Sequence, residues 1–264
     1  MKPAPFRYER PDTVEEAAAL LAEHGDEAKV LAGGQSLVPL LNFRLVRPAV
    51  LVDVNRVAGL DRIEDGRVGA TVRQSDFLGV PLVEEAMPFV GHFVTRNRGT
   101  VGGSIAHADP SAELPLCLLV LGGSVVTSKG RELAADDFFR SHFTTALEPD
   151  ELVVETIWPD GGAVAFEEFA QRHGDFALSL AACSVHIEDG TVREARVGVG
   201  SVADRPTLLE LGLAGAPASE ETAREAGAKA AAAVDPPGNL HASAAYLSHL
   251  TGVLVERVLA RAFA

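Results

Sequence analysis

The stretch LAGGQSL, residues 31–37, places two adjacent glycines between two apolar runs. It continues a segment, Lys29–Ala32, that is typical of a short strand, and it leads into PLLNFRLVRP, which favours a helix closed by Pro48. Glycine permits a positive φ and leaves neighbouring backbone N–H groups uncovered, so a turn of this kind can bind an anion. We call residues 31–37 the first glycine loop.

The segments around this loop alternate between helix and strand signals. Upstream, DTVEEAAALLAEHG predicts a helix, because Thr13 and Glu16 fit a capping box and Gly25 fits the position that ends a helix. Downstream, AVLVDVNRV is β-rich and predicts a buried strand. Residues 6–57 therefore predict a small α/β unit of helix, strand, helix and strand.

A second stretch, TVGGSIAHADP, resembles the first loop in composition. Gly-Gly pairs occur at 33–34, 102–103, 122–123 and 161–162, and the first two have small polar neighbours. We call residues 100–104 the second glycine loop. From these residues alone two interpretations stay open: both loops are ordinary turns, or they hold a diphosphate from two sides.

A third glycine motif, VGVGSVA at residues 197–203, fits the dinucleotide fingerprint G-x-G-x-x-A. Pro206 would fall inside the helix that this fingerprint requires, where it removes a hydrogen bond and clashes with the preceding turn. We therefore reject a Rossmann site. The P-loop pattern is absent from the sequence.

The remaining chain divides near residue 160, within the turn at 159–162. Before it, Asp65-Gly66 predicts a hairpin and LPLCLLVLGG predicts a helix. After it, strand-like segments with a hairpin at Asp189-Gly190 are followed by Ala-rich helices. The predicted organisation is a domain at 1–160, with subdomains at about 1–57 and 58–160, and a C-terminal domain at 161–264.

Composition excludes several functions. The formal net charge of −14 argues against a nucleic-acid-binding surface. No apolar run is long enough to span a bilayer, and MKPAPFRYERPD lacks the apolar stretch of a signal peptide, so a cytoplasmic protein without a transmembrane segment is expected. Two cysteines, Cys117 and Cys183, lie in apolar runs and predict buried packing rather than an iron–sulfur or zinc site.

No residue constellation for acid–base, nucleophilic or metal catalysis is present. The histidines show no metal-binding spacing, and Ser104 and Ser179 lack the G-x-S-x-G context of a hydrolase. Asp109 and Glu113 lie four residues apart. They either share one face of a helix that starts at Pro110 or serve as a cap and a dipole partner.

Four motifs in order resemble one family over nearly the whole chain: LAGGQSL, LVDVNRVAGL, RNRGTVGGSIAHADPSAELP and FAQRHGDFALSLAA. The sequence resembles the FAD-binding medium subunit of molybdenum hydroxylases, which include aerobic carbon monoxide dehydrogenases and the flavin portion of xanthine dehydrogenase. The resemblance implies an α+β fold. Its FAD-binding region has two subdomains of the vanillyl-alcohol-oxidase (PCMH) type, and its C-terminal domain has an antiparallel sheet and helices.

The resemblance also implies the residues that contact a noncovalently bound FAD. The diphosphate and ribityl groups would lie between the two glycine loops, the isoalloxazine near the residues after the second loop, and the adenosine near an acidic residue. The implied contacts are Lys29, Val30, Leu31, Ala32, Gly33, Gly34, Gln35, Ser36 and Leu37; Thr100, Val101, Gly102, Gly103 and Ser104; His107, Ala108 and Asp109; Glu113 on the adenosine side; the apolar Val90 and Leu152; and Asp175 and Phe176 of the fourth motif, FAQRHGDFALSLAA.

Two positions depart from some relatives. A tyrosine that approaches the flavin in those relatives is replaced by Phe176, which keeps an aromatic contact and loses a hydroxyl. Glu167 stands where some relatives carry a lysine, and a carboxylate there cannot stabilise an anionic reduced flavin by charge.

The function that the resemblance implies is electron transfer, with no catalytic residue beyond the flavin. FAD would receive electrons from [2Fe–2S] clusters in a small partner subunit, the molybdenum cofactor would belong to a large partner subunit, and the complex would be a dimer of heterotrimers. Two alternatives remain open at this point: a stand-alone flavin oxidase or dehydrogenase, and a non-catalytic nucleotide-binding module. Neither the substrate nor the electron acceptor follows from the sequence.

Overall fold

The structure, a computed structural model, describes residues 2–264. It confirms the predicted α+β fold: two small subdomains precede a domain with an antiparallel sheet and helices.

The first subdomain is a parallel three-stranded sheet with the strand order β1-β3-β2. Its elements are β1 (Arg7–Glu9), α1 (Val14–His24), β2 (Ala28–Leu31), α2 (Leu37–Asn42) and β3 (Val50–Asp53). Thr13 caps α1 by accepting a hydrogen bond from the Glu16 N–H at 3.2 Å, and Gly25 ends it, as the sequence predicts. Strand β1 is missing from the sequence prediction, because RYE is short, polar and largely exposed.

The second subdomain is built on an antiparallel five-stranded sheet with the order β4-β5-β10-β6-β7. Asp65 and Gly66 have φ angles of 47° and 75°, so the predicted hairpin between β4 and β5 is present. Its elements are β4 (Ile63–Glu64), β5 (Arg67–Gly69), α3 (Pro81–Ala86), α4 (Phe93–Arg96), α5 (Val101–His107), α6 (Glu113–Val120), β6 (Ser124–Thr127), β7 (Glu132–Ala134), α7 (Ala135–Phe138), the hairpin β8 (Phe139–Ser141) and β9 (Thr144–Thr145), and β10 (Val153–Ile157).

The C-terminal domain is an antiparallel sheet covered by two helices. Its elements are β11 (Ala163–Phe169), β12 (Ser179–Glu188), β13 (Thr191–Gly200), β14 (Thr207–Leu208), α8 (Glu220–Ala233) and α9 (Ala244–Phe263). Asp189 and Gly190 have φ angles of 49° and 70° and form the predicted hairpin. The rejected fingerprint lies here: Gly198 and Gly200 belong to β13, and the described chain has no helix after them before Glu220.

Helix α6 connects the two domains. Leu114–Val120 are all buried, so this helix is covered on every side, as expected for an apolar run without a polar face. Strand β12 is buried on both faces: Leu180 and Ala182 pack in the cluster that contains α6, while Ala181 and Cys183 face α8 and α9. The second subdomain and the C-terminal domain therefore share one continuous core.

Both cysteines are free and fully buried, which confirms their predicted packing role. Burial raises the pKa of the Cys183 thiol to about 12. Within residues 2–264, no helix combines the length and the apolar character that crossing a membrane requires.

Candidate functional site

The two glycine loops lie in direct contact, although they belong to different subdomains. A Cβ atom at Gly33 would collide with the Arg98 carbonyl oxygen, and it would lie 2.7 Å from the Gly99 Cα and 3.0 Å from the Thr100 nitrogen. Only glycine therefore fits at position 33. The loops that the sequence places some 70 residues apart form one surface.

The first glycine loop presents a run of free backbone donors. None of the described residues accepts a hydrogen bond from the N–H groups of Gly33, Gly34, Gln35 or Ser36. Gly34 has a φ of 71°, and the Gln35 side chain stabilises the turn by donating to the Gly33 carbonyl at 2.9 Å. Successive unpaired N–H groups at a strand-to-helix turn fit a phosphate or diphosphate anion. The residues present therefore fit the dinucleotide that the sequence predicts.

The second glycine loop uses its donors inside the protein. Thr100 caps α5 by accepting from the Gly103 N–H at 3.1 Å, and the Gly102 N–H donates to the Ala70 carbonyl at 3.0 Å. A Cβ at Gly102 would lie 2.5 Å from the Ala70 Cβ, so this glycine allows α5 to pack on the residue that follows β5. The polar groups left for a ligand are hydroxyls, chiefly that of Ser104, which bonds to no described residue.

The chain after the second loop turns at Ala108, a non-glycine residue with a left-handed φ of 50°. The His107 ring lies 4.9 Å from the Phe143 ring, and burial lowers the pKa of this histidine while Asp109 opposes the change. Asp109 accepts a hydrogen bond from the Ser111 N–H at 2.9 Å. Helix α6 starts only at Glu113, so the interpretation in which Asp109 and Glu113 share one face of a helix from Pro110 is wrong. Glu113 lies in the first turn of α6, as a dipole partner would, and Asp109 stabilises the turn before the helix rather than capping it.

Two carboxyl groups with raised pKa values lie behind this segment. Protein atoms crowd the Glu113 carboxyl, although the residue keeps some exposed surface, and burial raises its pKa to about 8, with Glu168 and Asp109 adding to the shift and Arg96 opposing it. Burial also raises the pKa of Glu168 to about 7, and its Oε2 atom is buried without a hydrogen-bond partner among the described residues.

Glu167, the position where some relatives carry a lysine, was predicted to matter for the flavin, whereas its neighbour Glu168 was not. The Glu167 carboxylate accepts a hydrogen bond from Arg257 at 2.9 Å and lies 4.0 Å from the Arg261 guanidinium, so it is paired with α9. Adjacent residues of a strand point to opposite faces, so Glu168 is the residue of β11 on the Glu113 side. The alternation in FEEF was the signal that could have identified it.

The fourth motif, FAQRHGDFALSLAA, approaches the second loop from the C-terminal domain. A Cβ at Gly174 would lie 2.6 Å from the His92 ring, and the His92 and His173 rings are 6.2 Å apart. His92 precedes α4, which leads into the second glycine loop. Next to Asp175, the Phe176 side chain is 76% exposed, which makes it available to a planar ligand.

The other predicted contacts lie at varied depths. Lys29, Val30 and Leu31 belong to β2, Ala32 connects this strand to the glycines, and Leu37 starts α2. Val101, within the second loop, and Val90, near the start of α4, are both buried. Leu152 is 4% exposed and packs in the apolar cluster of the first subdomain.

Sequence comparison assigns both parts of the chain to known families. Residues 4–161 match the FAD binding domain in molybdopterin dehydrogenase, and residues 164–262 match the CO dehydrogenase flavoprotein C-terminal domain.

Individual relatives extend over the whole chain. The 6-hydroxypseudooxynicotine dehydrogenase complex subunit alpha of Paenarthrobacter nicotinovorans is 41% identical, over 99% of this chain and 96% of that protein. Quinoline 2-oxidoreductase from Pseudomonas putida 86 aligns structurally with a TM-score of 0.93 and 35% identity, covering 100% of this chain and 98% of the other. Carbon monoxide dehydrogenase from Hydrogenophaga pseudoflava, in a form that lacks the Mo-pyranopterin moiety, aligns with a TM-score of 0.94 and 33% identity, covering 99% and 98%.

Proposed function

The chain belongs to the FAD-binding medium subunits of the molybdenum hydroxylases, and we propose that it carries noncovalent FAD on the surface formed by its two glycine loops. In this proposal, electrons from [2Fe–2S] clusters of a partner subunit pass through this subunit to an external acceptor. The observation that supports it best is the run of four N–H groups at Gly33–Ser36 that donate to none of the described residues, beside a second loop from another subdomain.

The protein's part in this function is to bind and to orient. FAD, when bound, supplies the redox chemistry, because it exchanges electrons with both one- and two-electron partners. The N–H groups of the first loop bind the negatively charged diphosphate, and the Ser36 and Ser104 hydroxyls add donors from the two sides. No acid–base residue of this chain is needed for electron transfer.

The fourth motif, which contains Phe176, positions the ring system of the flavin. Phe176 offers an exposed aromatic face without a hydroxyl, so it contacts a ring through its surface and donates no hydrogen bond. The Glu167 carboxylate is directed to Arg257 of α9 and its charge is partly balanced there, which limits its electrostatic effect on the flavin. Near the site, burial raises the pKa of the Glu168 carboxyl, and its Oε2 atom has no hydrogen-bond partner among the described residues.

Partners complete the reaction. A large subunit with the molybdenum cofactor would oxidise the substrate, a small subunit would carry two [2Fe–2S] clusters, and the assembly would be a dimer of heterotrimers. One relative is named as a subunit of a dehydrogenase complex, which supports a multi-subunit enzyme. Relatives whose names specify different substrates, quinoline and carbon monoxide, align over the same length, which supports substrate selection by another subunit.

Reconstitution with FAD tests the first half of the proposal. The purified chain is expected to take up FAD at micromolar concentration, to show visible flavin absorption, and to release the intact flavin on denaturation. A protein that stays colourless under these conditions would refute FAD binding.

Co-purification tests the second half. The chain, isolated under native conditions from its own cells, is expected to bring with it one molybdenum protein and one [2Fe–2S] protein, and the substrate of the complex should bleach the flavin only when both are present. Substrate-driven flavin reduction by the isolated chain would instead indicate a stand-alone dehydrogenase.

A further inference from the structure

A chain of hydrogen bonds connects the two glycine loops behind their contact surface. Asn55 follows β3 in the first subdomain, and its Nδ2 atom donates to the Ala32 carbonyl at 2.8 Å, immediately before Gly33. The Asn55 Oδ1 atom accepts from Arg73 Nη2 at 2.8 Å. The first loop is therefore tied, through one amide, to a guanidinium group of the second subdomain.

The same guanidinium group reaches the segment that leads into the second loop. Arg73 Nη1 donates to the Arg98 carbonyl at 2.7 Å. This is the carbonyl oxygen that a Cβ at Gly33 would strike, so the bond lies at the point where the loops touch. The planar fork of arginine lets one side chain bond both Asn55 and Arg98 in fixed directions, which a single ammonium group cannot do.

A buried carboxylate fixes the orientation of Asn55. Asp53 Oδ1 accepts from the Asn55 backbone N–H at 2.9 Å and from Asn55 Nδ2 at 2.6 Å, while Asp53 Oδ2 accepts from the Tyr8 hydroxyl. Burial raises the pKa of Asp53, but the hydrogen bonds from Tyr8 and Asn55 outweigh burial and hold it below its ordinary value. The carboxylate thus stays charged at neutral pH and leaves the Asn55 amide one orientation.

We infer that Asn55 and Arg73 are positioning residues of the dinucleotide site, which set the spacing of the two glycine loops through the Ala32 and Arg98 carbonyls. The inference rests on the proposed FAD function. Neither side chain is required to touch the ligand: each acts through the backbone of a loop. Donor groups that must meet one diphosphate from two subdomains lose affinity when their spacing changes by a fraction of an ångström.

The test compares variants of the full chain in FAD and ADP titrations, with thermal unfolding of the ligand-free protein as a second measurement. Asn55→Ala and Arg73→Met are each expected to weaken FAD binding about tenfold or more. ADP carries the same diphosphate, so its affinity is expected to fall by the same factor. The double variant should lose little beyond the worse single variant, because both residues act in one connection.

Arg131→Met is the matched control. Like Arg73, Arg131 bonds one side-chain oxygen and one backbone carbonyl, here the Glu151 carboxylate and the Ala146 carbonyl, and it lies in the second subdomain. We expect this variant to lower thermal stability while FAD affinity stays at the wild-type value. Arg73→Lys keeps the charge, and its FAD affinity is expected to fall between those of Arg73→Met and wild type, which provides a milder test if Asn55→Ala does not fold.

Several outcomes overturn the inference. FAD or ADP affinity within twofold of wild type in both single variants, additive losses in the double variant, or an equal affinity loss in Arg131→Met would each do so. A wild-type chain that binds no FAD would instead refute the proposed function, so the two failures are distinguishable.

Discussion

The two Gly-Gly loops are alike in sequence and different in use. In the first, the N–H groups of Gly33–Ser36 donate to no residue that the structure describes. In the second, the Gly102 and Gly103 N–H groups donate to the Ala70 carbonyl and the Thr100 hydroxyl, and Gly102 packs against Ala70, the residue after β5. The same dipeptide thus exposes backbone donors in one place and permits close packing in the other.

The carboxyl groups near the two loops also differ, in the direction of their pKa shifts. Asp53, near the first loop, accepts hydrogen bonds that lower its pKa against the effect of burial. For Glu113, after the second loop, a backbone hydrogen bond and the charge of Arg96 lower the pKa, but burial outweighs them and raises it to about 8. The first loop is therefore supported by a stable charge, and the second by a carboxyl group that is neutral below about pH 8.

The largest expected effect is on the pH dependence of stability. Because the pKa of Glu113 is about 8 when folded and close to its ordinary value when unfolded, raising the pH favours the unfolded chain, which releases this proton first. This group alone should lower the free energy of unfolding by up to about 1.4 kcal/mol per pH unit between about pH 5 and about pH 8. Urea unfolding of the ligand-free chain at several pH values measures the slope.

Glu113→Gln should remove this contribution and flatten the curve, leaving the part due to Glu168, whose pKa of about 7 gives the same sign. Glu188→Gln, at an exposed carboxylate paired with Arg193, is the control and should follow the wild-type slope. If Glu113→Gln keeps the wild-type slope, the Glu113 carboxyl is not buried as described.

The next largest effect tests the first loop. Gly33→Val would push the loops apart, since its Cβ meets the backbone of residues 98–100. Overpacking of about 1–3 kcal/mol, if it falls wholly on binding, corresponds to a loss of FAD affinity of about 5- to 160-fold. Flavin fluorescence titration measures it. Gly130→Asn is the control, because that turn has a φ of 72° and no described atom within 4 Å of the Cβ position; wild-type affinity in Gly33→Val would contradict the contact.

The matched change in the second loop should act mainly on stability. Gly102→Ala places its Cβ 2.5 Å from the Ala70 Cβ, in a fully buried position, and should cost about 1–3 kcal/mol of unfolding free energy. FAD affinity of the folded variant should fall less than in Gly33→Val. Adding Ala70→Gly should restore only a small part of the stability, since it removes the Ala70 Cβ but leaves the Ala70 Cα at 2.6 Å and its carbonyl oxygen at 2.8 Å from the new methyl group. A variant that is fully stable but binds no FAD would reverse the assignment of the two loops.

Local signals in the sequence predicted much of the fold. The Thr13 cap, the Asp65-Gly66 and Asp189-Gly190 hairpins and the apolar helix before Gly122 all depend on neighbouring residues, and all are confirmed. The rejection of a Rossmann fingerprint was also a local argument, from Pro206. Interactions between residues a few positions apart can be predicted from the sequence, because the chain itself holds those residues close together.

The parts that the sequence did not reveal depend on distant contacts. The Asn55–Arg73 pair joins positions 18 residues apart in different subdomains, and nothing in the local sequence marks either residue. The contact of Gly33 with Arg98 is equally non-local, although both loops were identified. Strand β1 forms only because β3 accepts it as a parallel neighbour. The role of each FAD-site residue stays a prediction.

The smallest expected effect concerns the hydroxyls of the two loops. The hydroxyls of Ser36 and Ser104 bond to no described residue, so Ser36→Ala and Ser104→Ala should leave the stability of the ligand-free chain within about 0.5 kcal/mol of wild type. One lost hydrogen bond to a diphosphate should weaken FAD binding about three- to tenfold. Ser104→Ala should have the larger effect. The N–H groups of the second loop donate to other groups of the protein, whereas the first loop keeps the four backbone N–H groups of Gly33–Ser36 for the ligand even without the Ser36 hydroxyl. Equal losses would mean that the two loops contribute donors alike, and no loss in Ser104→Ala would remove the second loop from the diphosphate altogether.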